Sequence, residues 1–142
     1  MAYTVYTTYQ RDLDVGYLAT YLATKKENIF KVVDIILKEY DKVRRGILPA
    51  RKISLVKNRM VGQLAISLEE SYQKAKFYGS QVLWRRKVYT PEEIFDKILK
   101  IDPRNVEHLS EQIFENNKLV LSILGNISNK EIEKLKKMLY VF

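Results

Sequence analysis

β-Branched and aromatic residues crowd the opening of the chain, and the apolar positions after it fall into a helical period. Ala2 to Gln10 reads Ala-Tyr-Thr-Val-Tyr-Thr-Thr-Tyr-Gln, and a second such run, Leu13 to Ala23, carries Tyr17 and Tyr21. A polar break at Arg11-Asp12 separates them, which predicts an antiparallel strand pair. A domain seldom begins on a strand this long without a lead-in, so the sequence is expected to be a fragment.

Helix starts are well marked. Thr24-Lys25-Lys26-Glu27 has the form of a capping box opening a helix to about Arg45, with Ile29, Val32, Val33, Ile36, Leu37 and Tyr40 on its apolar face and Gly46 at its end. Pro49 suits the first turn of a second helix bearing Ile53, Val56, Met60, Leu64 and Leu68. The helical pattern continues through Tyr72, Ala75, Tyr78, Val82 and Leu83, too long for one globular helix, so a break is expected between Leu68 and Ser71, with Glu69-Glu70 capping the second segment. Thr90-Pro91-Glu92-Glu93 is a further capping box, leading to Ile94, Ile98 and Leu99. Asp102-Pro103 restarts a helix with Val106, Leu109, Ile113 and Phe114, and Asn116-Asn117 makes a turn. Leu119 to Leu124 predicts a short interior strand ended by Gly125-Asn126, and Ser128 to Glu131 caps a last helix. With no low-complexity linker, residues 1–142 read as a single domain of α+β class: a small antiparallel sheet with helices packed on one face.

Composition narrows the chemistry. The absence of cysteine excludes disulfides, thiolate nucleophiles and sulfur-ligated zinc, and is compatible with a reducing compartment such as the cytoplasm. One histidine, His108, is too few for the common catalytic zinc sites and lies apart from any nucleophile motif. A net charge of +8 permits nucleic acid or anionic lipid. Yet the basic groups Arg44-Arg45, Arg85-Arg86-Lys87 and Lys134-Lys136-Lys137 fall near helix C-termini, where they complement the helix dipole without a partner. No apolar run approaches membrane length, so no membrane partner is expected.

The order of these elements, with these residues at the joints, resembles the second half of a domain of the insulinase-like (pitrilysin) zinc peptidases. The resemblance rests on Met1-Ala2-Tyr3 opening a strand, Asp14-Val15-Gly16, the helix start at Thr24 to Glu27, Lys57-Asn58 and Leu68-Glu69 around a long broken helix, Gly79, Thr90 to Glu93, and Leu119 to Gly125. It spans essentially the whole chain, and its specificity lies in the order and spacing of motifs that are individually common.

The family's catalytic members bind zinc through an inverted His-x-x-Glu-His helix and a later glutamate, and no such sequence occurs here. The resemblance implies that those residues, and an arginine that clamps substrate together with the strand tyrosine, would lie upstream of Met1. Tyr3 is the member of that pair present here, a phenolic donor for a substrate carbonyl, so substrate binding is assigned to Tyr3 and no catalytic or metal residue is assigned. An ordinary strand tyrosine in cross-strand packing is the simpler alternative for Tyr3. The implied protein is a non-catalytic, chamber-closing segment of a zinc peptidase. It would help enclose a peptide substrate for a zinc-bearing domain or subunit, would hold no cofactor itself, and would not hydrolyse peptides alone.

Other residues carry less. His108 with Glu107 and Glu111 is read as a solvated helix face rather than a ligand set. Trp84 beside Arg85-Arg86 is read as core. Tyr3, Tyr6, Tyr9, Tyr17 and Tyr21 form an aromatic sheet surface, but no basic residues are interleaved and Asp12 and Asp14 oppose phosphate, which disfavours nucleic acid. A free-standing basic α+β module that binds nucleic acid or an acidic protein is the alternative reading. A sheet lacking its neighbour would also expose an edge rich in tyrosine, open to homodimerisation or strand addition by an extended peptide.

Overall fold

The two β-rich runs do pair. In the computed structural model, which describes residues 2–11, 14–84 and 87–140, β1 (Ala2–Arg11) and β2 (Gly16–Thr24) form an antiparallel two-stranded sheet. The ladder runs from Arg11 opposite Gly16 to Ala2 opposite Thr24. The second strand is described from Gly16; of the expected break at Arg11-Asp12, Arg11 belongs to β1, while Asp12 and the expected start at Leu13 lie outside the described residues. Among the described residues six helices follow, giving an α+β chain: α1 (Ile29–Arg44), α2 (Ala50–Ser67), α3 (Ser71–Trp84), α4 (Pro91–Leu99), α5 (Pro103–Ile113) and α6 (Asn129–Met138). None of the described helices is long and apolar enough to cross a membrane.

Several joints form as the sequence predicts. Gly46, at a φ of 65°, adopts the left-handed conformation that terminates α1 without a Cβ clash. The long helical stretch breaks between Ser67 and Ser71. Both later capping boxes close reciprocally, Thr90 with Glu93 at α4 and Ser128 with Glu131 at α6. At α5 the Asn105 N–H donates to the Asp102 carboxylate while the Asp102 N–H donates to the Asn105 side chain, at 2.9 and 3.0 Å.

Three expectations are corrected. The box at Thr24 to Glu27 does not cap a helix: Thr24 is still paired to Ala2 in the ladder, so its backbone is committed to the strand. The chain enters α1 through a 3₁₀ turn, Lys26–Asn28, and neither Lys25 nor Asn28 supplies a side-chain cap. The interior strand at Leu119 to Leu124 is absent. The segment follows a second 3₁₀ turn, Asn116–Lys118, and finds no third strand to pair with among the described residues, leaving Val120 92% and Leu124 105% exposed. On α2 the half-buried stripe is Ile53, Lys57, Val61 and Leu64, so Val56 and Met60 face solvent instead.

The contacts divide the chain into two units, residues 1–45 with 107–142, and residues 46–106. In the first, Val33 and Leu37 of α1 enclose Leu135 of α6, flanked by Ile29, Phe30, Leu119, Met138 and Leu139. Tyr40 stacks on Phe114 at 4.5 Å between ring centres, and the buried Ser110 hydroxyl donates to the Val43 carbonyl. Lys26 pairs with Glu131 at 3.2 Å, and the Lys134 ammonium lies 4.4 Å from the Phe30 ring centre. In the second unit α2 packs along α4, and Lys57 reaches past the apolar stripe to donate to the Ile101 carbonyl.

Candidate functional site

The strand pair carries the residue that the resemblance singles out. Thr4 lies opposite Ala23 and Ala2 opposite Thr24, so Tyr3 is the extra residue of an irregularity in β1. A bulge of this kind leaves one residue unpaired and turns its side chain away from the regular alternation. Tyr3 is 72% exposed, as the rest of β1 to Gln10 is exposed.

The hairpin is tied down on one face. Thr7 and Thr20 stand opposite each other and their hydroxyls hydrogen-bond at 2.7 Å, while the Thr20 hydroxyl also bonds to the Tyr40 phenol of α1. Tyr40 is itself held by its stack on Phe114, so a polar chain leads from the outer strand into the core of this unit. Alternation places Tyr6, Tyr17 and Tyr21 on the other face, with Tyr6 and Tyr21 directly opposite and stacked at 5.1 Å. All of Tyr3 to Gln10 is exposed, and β1 has no neighbour on its outer side among the described residues. The Thr7–Thr20–Tyr40 chain escaped the sequence reading, because a cross-strand threonine pair shows only once the register is known.

The remaining sequence candidates are dispersed. His108 is exposed and its Nε2 lies 3.1 Å from the Gln112 amide nitrogen. Among the described residues no three His, Cys, Asp or Glu side chains group to hold a metal. Trp84's side chain, Arg85 and Arg86 lie outside the described residues, and with them the reading of Trp84 as core. The remaining joint residues act structurally. Lys57 bonds to the α4–α5 connection, the Leu68 and Glu69 N–H groups close the last turn of α2, and Thr90 and Glu93 cap α4.

Charge perturbation sits at the caps and at the exposed Glu133–Lys136 pair of α6 rather than in a cleft. The Ser128 hydroxyl and N–H, with Lys26, hold the Glu131 carboxyl at about 2, well below its ordinary 4.5. The Thr90 N–H, assisted by Lys87, lowers Glu93 in the same way. These are signatures of helix capping and a surface ion pair, not of a catalytic acid–base pair.

No protein-family model matches the chain. Over 117 residues it is 26% identical to the mitochondrial-processing peptidase subunit beta of Saccharomyces cerevisiae, covering 81% of this chain and 25% of that protein. Over 114 residues it is 25% identical to the uncharacterized zinc protease YmxG of Bacillus subtilis, covering 80% of this chain and 28% of that protein. The chain spans about a quarter of the length of these curated relatives. Both relatives are named as a peptidase or a protease, a likeness that supports the resemblance to insulinase-like peptidases.

Proposed function

We propose that this chain is a non-catalytic segment of an insulinase-like zinc peptidase, one that helps enclose an extended peptide and position it for zinc held elsewhere. The observation that carries the reading is Tyr3, unpaired at the β1 irregularity, exposed, and beside an open strand edge. An extended peptide can add to such an edge through main-chain hydrogen bonds, with the Tyr3 phenol donating to one of its carbonyls. The zinc of such a peptidase does not fit the donors here: the sequence has one histidine and no His-x-x-Glu-His, so no hydrolytic step is assigned to these residues.

The exposed apolar surface supports a role as part of something larger. Val5, Tyr9, Val120 and Leu124 are among its exposed large apolar residues.

Fluorescence anisotropy of a labelled unfolded peptide tests the reading. Binding should be nearly independent of salt and weaken about two- to tenfold in Tyr3→Phe, the worth of one hydrogen bond. Failure to bind peptide, together with single-stranded nucleic-acid binding that collapses as salt rises, would replace it with the basic-module alternative.

A further inference from the structure

From α2 we infer a second recognition surface, independent of the peptidase reading: its outward face docks an amphipathic helix of an acidic protein partner. Opposite the stripe that packs inward, Lys52, Leu55, Arg59, Gly62 and Ile66 are all exposed and follow one another at alternating steps of three and four residues. Those steps keep the five on one face of the helix, and that face sets two aliphatic side chains in solvent on either side of a glycine. Leu55 and Ile66 are each 69% exposed.

Gly62 sits at the centre of this line. Glycine inside a helix weakens it relative to alanine, and a Cβ built here would meet nothing within 4 Å. Nothing among the described residues therefore calls for glycine, whereas a second helix crossing this point would gain close backbone approach.

Charge selects the occupant. α2 holds Arg51, Lys52, Lys57 and Arg59 and no acidic residue. Residues 46–106 contain 12 of the 25 Lys and Arg but 6 of the 17 Asp and Glu. Lys57 is engaged at the Ile101 carbonyl, while Arg51, Lys52 and Arg59 make no ion pair among the described residues. Around α1, by contrast, Lys38, Lys42 and Arg45 each pair with a carboxylate one turn away. A second copy laid on the same face would bring the cations of two α2 helices together with no carboxylate of α2 to meet them. A lipid surface asks for an unbroken apolar strip with cations at its flanks, whereas here cations and apolar residues alternate along one line. A helix carrying Asp or Glu opposite Lys52 and Arg59, and aliphatic side chains against Leu55 and Ile66, satisfies both features.

The full chain is titrated with two synthetic helical peptides that share one apolar seam, flanked by glutamates in one and by lysines in the other, and with vesicles containing anionic lipid. The glutamate peptide should bind, more weakly as salt rises. Lys52→Glu with Arg59→Glu should reduce its affinity about tenfold or more. Gly62→Leu should also weaken binding while leaving the thermal midpoint equal or higher, which separates blocked approach from misfolding. Equal binding of the two peptides, or binding of neither, overturns the inference. So does affinity unmoved by these substitutions, or vesicle binding abolished by the double reversal while the glutamate peptide stays free.

Discussion

Gln81 on α3 grips both backbone polar groups of Tyr89: its amide nitrogen donates to the Tyr89 carbonyl at 3.1 Å, and its amide oxygen accepts from the Tyr89 N–H at 2.9 Å. Gln81 is 6% exposed, so water cannot easily replace it. The grip holds the chain leading into α4, where Lys97 and Lys87 lie over the Tyr89 ring. Gln81→Leu keeps the bulk and strips both bonds, and should cost about 1–3 kcal/mol in urea unfolding. Gln81→Glu, which keeps the acceptor and loses the donor, should fall between. Wild-type stability in Gln81→Leu would refute the role.

Leu135 and Leu124 make an internal contrast within one unit. Leu135 is 1% exposed and enclosed by Val33 and Leu37, while Leu124 is 105% exposed. Leu135→Ala should destabilise by about 2–5 kcal/mol, and Leu124→Ala should stay within about 0.5 kcal/mol. Equal losses would mean that Leu124 is covered in solution.

Glu131 gives a pH prediction with a definite sign. Its carboxyl is held at about 2 in the folded chain against an ordinary 4.5, by the Ser128 hydroxyl and N–H first and by Lys26 after them. The unfolded state therefore binds the proton more readily, and stability rises with pH through this window. The contribution is complete above about 4.5 and is lost as pH falls toward about 2. Carboxyl NMR should show Glu131 titrating well below its ordinary value, and Ser128→Ala should move it upward. Glu131→Gln should flatten the stability slope between those two pH values, and an unchanged slope would remove the cap from the acid response.

Self-association is expected through the open β1 edge, where Tyr3 to Gln10 are exposed. Light scattering should show a molar mass that rises with concentration. Val5→Lys, on this edge strand, should return it toward the monomer. A single monomeric mass across a wide range would exclude this association.

The sequence made the joints legible because each is a local device. Gly46, Thr90 with Glu93, and Ser128 with Glu131 need only their own neighbours to act, so a few residues suffice to read them. Thr24 misled for the opposite reason: a pairing with Ala2 outweighs a box formed with residues close by. Leu119 to Leu124 has the composition of an interior strand, but strand identity depends on a partner, and none is found among the described residues. The inward stripe of α2 was misassigned because Lys57 looks like a surface residue until Ile101 accepts its ammonium. For the candidate site, Tyr3 came from resemblance, while its unpaired place in β1 needed the register.

The unit formed by residues 1–45 and 107–142 closes around a pair of helices far apart in sequence, α1 and α6. Bringing Val33 to Leu135 draws together the ends of a loop of roughly 100 residues, an entropic toll of about 4 kcal/mol before any contact forms. Within residues 46–106 the contacts span at most about 60 residues, so that unit closes shorter loops. On a ribosome α6 emerges only after all of residues 46–106, so Val33 and Leu37 stay without Leu135 while that stretch is made. α6 thus works as a latch, and a nascent chain stalled before Asn129 would present a sticky α1 to chaperones.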